Sequence, residues 1–555
     1  MRAVARPRHL LAVLILTLAA AAHGYLGFHD RRLSTAQVQA ATASLKDHDP
    51  TLFPGDAAFG PSGLWRLNSP AFRLLLGAVS AVTGRAEPLQ QFRLLVAPVV
   101  LLYLCEMYAL LYGQCRSWSV SVFVATLSSA VIWVLAGAYW GVGSLQSITP
   151  AGLLVALTPL LMMAYLRWET RPRVMLAFFF VGLAGNVYPT GAVNLAIVLL
   201  LACLGRGWFA WRQWLIAAGC AVCVLAGMLP WIWHCVGLCL TVANGLALAD
   251  PETIRQALLL GDVEIFWDDL LRSLLNWLLL VLVLLVPAVV VLIRIERFRI
   301  RNPGFWIWLM SASLFVSVVL HGLALLVGAL SGRPPVTIDL PKASCLAMPA
   351  LYVLFAQALT GFFRLVRGHR GVVRWVCAVL FVAWMLVSDN CRVVRHAALG
   401  AATSYMPEGE KPHNVQRHIE RRRALDELAA IAAWARVNTD AAAVFLSNSI
   451  EFRMMSRRSI VAAGEDVRYF YDLAPGRLGV WCRLMIRQAA LLRTRKIDAE
   501  ALAALLDELA ESERFTDARG WYVILPAGAT LDKTGVFEQV STSEWGLSYQ
   551  LCRRR

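Results

Sequence analysis

The carboxylates that could do chemistry concentrate near the N-terminus. Acidic residues are scarce before residue 390, yet Asp30 follows an apolar run, and Asp47 and Asp49 stand two residues apart just before Pro50. A carboxylate at a membrane surface can accept a proton from a hydroxyl group or bind a divalent cation. Asp30 and Asp49 are therefore the candidate catalytic residues.

The spacing of Asp47 and Asp49 allows two interpretations. With His48 between them, both side chains could reach one Mg²⁺ or Mn²⁺ ion. The same residues before Pro50 are also typical of a turn, in which aspartate side chains bond to nearby backbone groups. The sequence leaves both interpretations open.

Several other polar residues could contact a ligand that contains a phosphate group. Cations near a membrane surface can pair with phosphate oxygens, and they can equally anchor helix ends among lipid headgroups. The candidate substrate contacts are Asp56, Arg66, Tyr188, Arg333 and Lys342.

The composition predicts that these residues belong to a membrane protein. Of 555 residues, 58% are hydrophobic and only 16% are charged, and the mean hydropathy is +0.60. Such an apolar excess needs lipid as its solvent. The net charge of +16 comes from short arginine clusters between apolar runs, so membrane lipid is an expected partner and nucleic acid is not.

The apolar runs predict an α-helical polytopic membrane protein with about eleven transmembrane helices in residues 1–390. Every second loop is basic, so the positive-inside rule places the N-terminus in the cytoplasm and the C-terminus outside. The first run could instead be a cleaved signal peptide. The runs are Leu10–Phe28, Phe92–Tyr112, Trp118–Trp140, Ala151–Leu166, Val174–Val187, Ala192–Leu204, Trp214–Leu238, Leu270–Ile293, Phe305–Leu330, Cys345–Phe362 and Val372–Val387.

The segments between and after the spans predict three further regions. Residues 29–91 form a long first outer loop with an amphipathic stretch at Ala71–Val82. Residues 391–423 are polar and are expected to be a linker, and residues 424–555 an extracytoplasmic domain of mixed α/β class. The helices and strands expected in that domain are Leu425–Val437, Ala443–Leu446, Ser459–Ala462, Ala499–Leu509, Trp521–Leu525 and Leu547–Cys552.

Charged residues of the C-terminal domain also allow two roles. Arg453, Arg457, Arg458 and Asp466 could bind an acidic acceptor or stabilise a domain interface. The structural role is favoured, because this segment leads into a predicted strand.

This layout resembles the membrane-embedded glycosyltransferases of the C superfamily. It has an acidic residue after the first helix, a long first outer loop, many further spans and an outer C-terminal domain. It is more closely similar to a largely uncharacterised bacterial group with the same layout. The matching motifs are Asp49–Asp56, Asn186–Gly191, Leu340–Ser344, Trp434–Thr439 and Phe452–Arg458.

The resemblance implies transfer of a sugar from a polyprenyl-phosphate carrier to an acceptor in the cell envelope. It implies that a carboxylate of the first outer loop serves catalysis and metal binding, and Asp30 stands where the acidic residue after helix one is expected. It also implies a bacterial inner-membrane protein with a periplasmic C-terminal domain.

Two other functions stay open. A transporter of lipid-linked glycans would be expected to show inverted repeats and paired mid-membrane charges, which the sequence does not reveal. A catalytically silent scaffold would keep the layout and hold partners, and the basic Arg31 directly after Asp30 favours this alternative. The sugar, the acceptor and the oligomeric state do not follow from the sequence.

Overall fold

The structure is a computed structural model that describes most of the chain. Arg333 and the predicted span Leu270–Ile293 lie outside the described residues. The described residues are 5–60, 62–84, 87–134, 138–168, 173–205, 210–242, 251–260, 302–331, 339–365, 370–407, 411–492, 496–512, 515, 517–532, 535–540 and 545–555.

Apolar helices dominate the first 390 residues. Short 3-10 helices at Leu64–Leu67, Leu145–Ser147 and Leu340–Ala347 separate some of them, and a π-helix at Phe315–Leu320 joins the helices Pro303–Leu314 and His321–Ser331. In chain order the helices are α1 (Ala5–His29), α2 (Thr35–His48), α3 (Pro70–Thr83), α4 (Pro88–Cys115), α5 (Trp118–Ser128), α6 (Pro150–Trp168), α7 (Val174–Gly185), α8 (Pro189–Leu204), α9 (Trp211–Gly227), α10 (Leu229–Val242), α11 (Pro251–Leu260), α12 (Pro303–Leu314), α13 (His321–Ser331), α14 (Met348–Leu365) and α15 (Arg370–Val387).

The helix lengths identify a membrane protein. Within the described residues, five helical segments are long and apolar enough to cross a membrane, and two bent pairs raise the number to seven. Four further apolar helices, α3, α5, α7 and α8, have only 10–17 residues. The expected total of about eleven spans therefore stays a prediction.

The structure differs from the predicted span Trp118–Trp140. Helix α5 ends at Ser128, and the chain continues into an antiparallel hairpin of β1 (Ile132–Trp133) and β2 (Tyr139–Trp140). Gly141 follows with a φ of 106°, and a Cβ atom there would lie 2.2 Å from a backbone carbonyl oxygen. The predicted span therefore contains a hairpin with close backbone packing at Gly141, which hydropathy does not reveal.

The predicted break between two short helices is present. Helix α7 ends at Gly185 and α8 begins at Pro189, whose fixed φ suits a first helical turn. The amide nitrogen of Asn186 donates to the carbonyl of Gly227 at 3.0 Å, and its Oδ1 accepts from the backbone N–H of Trp231 at 3.0 Å. Asn186 therefore ties this turn to the bend between α9 and α10.

The first loop, residues 29–91, is largely helical. Helix α2 begins with a capping box, in which Ser34 and Gln37 each bond to the other's backbone. The Gln37 amide also donates to the carbonyl of Leu145 at 2.8 Å. Helix α3 covers the predicted amphipathic stretch and buries Phe72. These contacts hold the loop against the membrane helices.

The segment predicted to be a linker is helical. Helix α16 (Arg392–Ser404) follows the last apolar helix closely, and α17 (His413–Asn438) begins inside the same segment. Arginine and alanine are frequent in this stretch, and both favour helices. Polarity alone suggested a linker, whereas the helix propensities match the observed structure.

Strands and helices alternate in the rest of the C-terminal domain. The four strands that the sequence predicts are present close to their expected positions, and three further strands were not predicted. The elements are β3 (Val444–Leu446), α18 (Ile450–Ser456), β4 (Ser459–Ile460), α19 (Val467–Leu473), α20 (Leu478–Leu492), β5 (Lys496–Asp498), α21 (Ala499–Glu511), β6 (Trp521–Pro526), β7 (Thr530–Asp532), β8 (Phe537–Val540) and β9 (Tyr549–Arg554).

Five strands form one mixed sheet in the order β4-β3-β6-β9-β8. Strand β3 runs parallel to β4 and β6, with Phe445 opposite Tyr522, whereas β9 is antiparallel to β6 and β8. Helices connect the parallel strands, as crossover connections require. Strands β5 and β7 form a separate parallel pair.

Part of the first loop belongs to the core of the C-terminal domain. Phe53, Phe59 and Trp65 are buried in the same apolar cluster as Phe470 and Trp481. The Phe59 and Tyr469 rings meet edge to face with centroids 5.5 Å apart. Burial of these aromatic rings fixes the loop against a domain that is distant in sequence.

Candidate functional site

Asp56 is fully buried between the first loop and the C-terminal domain. Its carboxylate accepts from the backbone N–H groups of Ala58, Phe59 and Ile460 at 3.0, 2.9 and 3.3 Å. Its Oδ2 lies 2.7 Å from the Nε of Arg453, and both side chains are at most 1% exposed. These are the contacts of a structural group, and a substrate contact for Asp56 stays a prediction.

Arg453 also pairs with a second buried carboxylate. Its Nη1 donates to Asp466 at 2.9 Å, and its guanidinium carbon lies 4.9 Å from the centre of the Phe59 ring. Burial raises the pKa of Asp466. Burial opposes the charge of Arg453, but the two carboxylates outweigh this effect and raise its pKa. The interface role predicted for Arg453 and Asp466 is confirmed, and we call these two residues and Asp56 the buried ion cluster.

Asp47 lies in the last turn of α2 and pairs with Arg73 of α3. The Arg73 side chain is 7% exposed, whereas Asp47 is 45% exposed. The guanidinium carbons of Arg73 and Arg66 lie 5.1 and 5.5 Å from the centre of the Trp65 ring. Partial burial raises the pKa of Asp47 even though both arginines favour its charged form. Two cations, Arg66 and Arg73, therefore lie beside one carboxylate, and we call Asp47 and these two arginines the Asp47 corner.

Asp49 closes a turn at the end of α2. Its Oδ1 accepts from the hydroxyl and the backbone N–H of Thr51 at 2.6 and 3.0 Å. These two hydrogen bonds lower the pKa of Asp49. The geometry matches the turn that the sequence allowed for Asp49.

The carboxylates of the first loop do not fit the expected divalent cation. Asp30 and Asp47 each face a guanidinium group, and Asp49 bonds to Thr51. Among the described residues, no group of three or more His, Cys, Asp or Glu could hold a metal ion. Mg²⁺ and Mn²⁺ prefer several oxygen ligands, and neighbouring arginines repel them. We derive no chemical step through a metal, and a metal requirement stays a prediction.

Two candidate substrate contacts, Tyr188 and Lys342, meet at Asp339. The Nζ of Lys342 donates to the Asp339 carboxylate at 2.8 Å, and the nearby Tyr188 hydroxyl contributes to the lowered pKa of Asp339. The Asn194 amide donates to the Asp339 carbonyl at 2.9 Å. Burial would raise the pKa of Asp339, but the charges of Lys342 and Arg468 hold it below its ordinary value. The side chains of Asp339 and Lys342 are about one-third exposed, at 32% and 29%.

Hydrogen bonds connect the Asp47 corner to the elements that carry Tyr188, Asp339 and Arg468. Asn68 of the first loop donates to the Tyr469 hydroxyl at 2.7 Å, and Tyr469 follows the exposed Arg468 in α19. The Ser69 hydroxyl donates to the carbonyl of Asn186, in the turn before α8, at 2.6 Å. The first loop, the turn before α8 and the C-terminal domain therefore converge.

We call this region the junction site. It contains four cations and two carboxylates, so its charge favours an anionic ligand. Lys342 lies near the start of the candidate span Leu340–Arg364, which places the site close to a membrane surface. The junction site comprises Asp47, Arg66, Arg73, Tyr188, Asp339, Lys342 and Arg468.

Asp30 has a separate set of contacts at the end of α1. Its Oδ2 lies 2.6 Å from the Nη2 of Arg392, and the Nη1 of Arg392 donates to Gln146 at 2.7 Å. Its Oδ1 accepts from the backbone N–H of Arg32 at 3.1 Å, and Arg93 donates to its carbonyl at 2.8 Å. The Asp30 side chain is 11% exposed. Arginines from three segments therefore hold the acidic residue after the first helix.

Sequence reasoning missed Asp339, Arg392 and Arg468 as members of these clusters. Asp339 and Lys342 are three residues apart at a helix start, a spacing at which opposite charges pair. That spacing was the available signal for Asp339. Arg392 meets Asp30 across 362 positions of the chain, and no local pattern indicates such a contact.

The fold and these contacts define a helical membrane protein whose C-terminal domain packs on its first loop. No protein-family model and no curated relative matches the chain. Among solved structures, the chain is similar to the oligosaccharyltransferase of Archaeoglobus fulgidus, which was solved with a tethered acceptor peptide. The identity is 13%, the match covers 93% of this chain and 69% of that chain, and the TM-score is 0.43. This likeness assigns neither a substrate nor a catalytic residue to the chain.

Proposed function

We propose that this chain is a bacterial inner-membrane glycosyltransferase. It transfers a sugar from a polyprenyl-phosphate carrier to a glycan, lipid or protein acceptor in the cell envelope. The reaction takes place on the outer face, with the N-terminus in the cytoplasm and the C-terminal domain in the periplasm. The resemblance of the layout to the C superfamily supports the reaction class.

The positive charge of the junction site is the observation that supports this proposal most. A polyprenyl-phosphate donor keeps its chain in lipid and presents its phosphate at the depth of the headgroups. Lys342 lies near the start of a candidate span, and Arg468 is exposed on the C-terminal domain. Cations from separate segments can hold phosphate oxygens and stabilise the charge of the departing phosphate.

The proposed transfer balances with one base and one leaving group. The bond between the sugar C1 and a phosphate oxygen breaks, and the acceptor hydroxyl oxygen bonds to C1. The hydroxyl proton passes to a carboxylate, for which we propose Asp30. Since Asp30 is paired with Arg392, this pair must loosen before the carboxylate can accept a proton.

The other candidate residues keep narrower proposed roles. Arg66, Tyr188 and Lys342 contact the donor phosphate, together with Arg468. Arg333, outside the described residues, stays a proposed substrate contact. Asp49 is the weaker candidate base, because its Oδ1 already accepts two hydrogen bonds from Thr51.

A catalytically silent scaffold is the second candidate function. The observation that favours it is that Asp30, Asp47 and Asp56 each face an arginine. A carboxylate whose oxygens are occupied by an arginine is less available to a substrate hydroxyl. The scaffold would use the same fold to hold partners without transferring a sugar.

Native mass spectrometry of the purified full chain with a polyprenyl-phosphate-linked sugar tests the proposal. We expect donor binding to weaken about tenfold in Lys342→Met, because a charged phosphate contact is lost. The control Lys496→Met removes an exposed lysine of β5 and should bind like wild type. Equal binding by both variants would remove the junction site from the proposal. Binding without any sugar transfer to envelope acceptors would favour the scaffold.

A further inference from the structure

The guanidinium group of Arg32 is incompletely paired. Its Nη2 is inaccessible to solvent and has no hydrogen-bond partner within the part of the chain that the structure describes. A buried donor without a partner costs free energy, and a charged donor costs more than a neutral one. Arg32 is therefore arranged as if a further acceptor were to bind beside it.

The charges around Arg32 also lack balance. Arg392 and Arg421 repel its guanidinium group, and Asp30 attracts it. Burial and the two like charges lower the pKa of Arg32. Arg93 also reaches Asp30, because its Nη2 donates to the backbone carbonyl of Asp30. The guanidinium groups of Arg32, Arg93 and Arg392 thus gather around Asp30, and Glu87 is a second carboxylate whose charge acts on Arg93.

These arginines do not have the exposure of headgroup anchors. An arginine that anchors a helix end extends outward into the lipid interface. Arg392 is only 15% exposed and points inward to Asp30 and Gln146. The adjacent Arg31 shows the contrast, since it is 60% exposed and already pairs with Asp426.

We propose that Arg32, Arg93 and Arg392 form a binding site for a phosphate group at the end of α1. Planar guanidinium groups match phosphate oxygens in bidentate pairs. A phosphate group would supply a hydrogen-bond acceptor for the Nη2 of Arg32 and a negative charge among the arginines around it. The candidate span Pro7–His29 ends three residues before Arg32, so the site lies near headgroup depth. The phosphate belongs to a lipid headgroup or to a soluble compound. The site shares Arg392 with the pair that holds the proposed base Asp30, but the inference concerns phosphate binding and is tested without any sugar donor.

The experiment compares wild type with Arg32→Gln, and Arg31→Gln is the matched control. Inorganic pyrophosphate is titrated into the full chain in detergent while thermal unfolding is followed by tryptophan fluorescence. We expect a saturable rise in Tm for wild type and for Arg31→Gln. The apparent Kd should be about tenfold higher in Arg32→Gln, because a bidentate charged contact is lost. Arg32→Lys, which keeps the charge without the planar fork, should fall between them.

A second arm identifies the source of the phosphate. The chain is extracted from bilayers of phosphatidylglycerol or phosphatidylcholine, and retained lipid is counted by native mass spectrometry. Retained phosphatidylglycerol that pyrophosphate displaces supports a headgroup site, whereas pyrophosphate binding without retained lipid supports a soluble ligand. The inference is overturned if Arg32→Gln binds pyrophosphate as tightly as wild type. It is also overturned if Arg31→Gln loses as much affinity as Arg32→Gln.

Discussion

Asp30 and Asp56 belong to the same loop, and each pairs with an arginine from a distant part of the chain. Asp56 is 0% exposed and accepts three backbone N–H bonds in addition to the charge of Arg453. Asp30 is 11% exposed, and its carboxylate accepts one backbone N–H besides Arg392. The two carboxylates thus differ in the number of hydrogen bonds that each accepts.

The balance of charge differs in the same way. The buried ion cluster encloses one cation between two carboxylates, so its carboxylates outnumber its cations. At Asp30 the cations are in excess, because Arg392 and Arg421 both lie near Arg32. An arginine–aspartate pair therefore indicates a structural contact at one end of the loop and a ligand site at the other. The surrounding charges, rather than the pair itself, distinguish the two.

Breaking the buried ion cluster should have the largest effect. Arg453→Met leaves two carboxylates buried without a cation, which costs about 3–5 kcal/mol of the free energy of unfolding. We expect a strong fall in Tm and rapid proteolysis of the first loop in the detergent-purified chain. The matched control Arg487→Met removes an exposed pair with Glu508 and should cost about 0–1 kcal/mol. Equal stability of the two variants would contradict a structural role for the cluster.

Glu427 extends the comparison to a carboxylate held by backbone N–H groups and by the Ser548 hydroxyl, which donates to it at 3.2 Å. It is 6% exposed and accepts from the backbone N–H groups of Gly546, Ser548 and Tyr549 at 2.8–3.3 Å. Glu427→Gln keeps an amide oxygen for these N–H groups but removes the negative charge that strengthens the bonds, at a cost of about 1 kcal/mol. The exposed Glu420→Gln is the control, and thermal unfolding is the measurement.

The pH dependence of Glu427 follows from the same bonds. Burial would raise its pKa, but the hydrogen bonds from Ser548, Gly546 and Tyr549 outweigh this and lower it. Its contribution is therefore present above the unfolded-state pKa and is lost as the pH falls through the folded-state value. Wild type should lose more stability than Glu427→Gln on acidification below about pH 4.5. Parallel curves for the two proteins would contradict this assignment.

Glu465 tests the opposite sign at the edge of the buried ion cluster. Burial, with the nearby charges of Asp466 and Glu451, raises its pKa from 4.5 to about 7. A raised carboxyl pKa favours the folded state at low pH, and this contribution is lost as the pH rises through about 7. Glu465→Gln should therefore be more stable than wild type at pH 8 and similar to it at pH 4, by thermal unfolding. A gain of the same size at both pH values would argue against titration of Glu465.

Asp49 should show the smallest effect. It is exposed to solvent, and an amide oxygen can still accept from Thr51, so Asp49→Asn should keep the turn. We expect a Tm within the error of wild type and unchanged sugar transfer. A complete loss of transfer in a folded Asp49→Asn protein would move the catalytic assignment from Asp30 to Asp49.

Local patterns predicted the local structure well. The amphipathic stretch became α3, the Pro189 break separates α7 from α8, and the turn after Asp49 has the bonds that aspartate favours before Pro50. The predicted strands of the C-terminal domain lie at the observed positions. These features depend on the chemistry of neighbouring residues, which the sequence displays directly.

Contacts between distant segments could not be predicted in the same way. Hydropathy extended the span after Trp118 through the hairpin, because it does not register the close backbone approach at Gly141. The partner of Asp30 is 362 residues away, and the partner of Asp56 is in the C-terminal domain. Charge and residue type identified candidates, but only the fold shows which arginine faces each carboxylate.

Mass spectrometry of envelope glycans and polyprenyl-linked sugars tests the central claim most directly. A deletion strain is complemented with wild type, Asp30→Asn or Asp49→Asn at equal membrane levels. If Asp30 is the base, wild type and Asp49→Asn will restore a missing sugar, whereas Asp30→Asn will not. Full restoration by Asp30→Asn would contradict the role of Asp30 as the base, because the carboxylate at the end of α1 would then be dispensable for transfer.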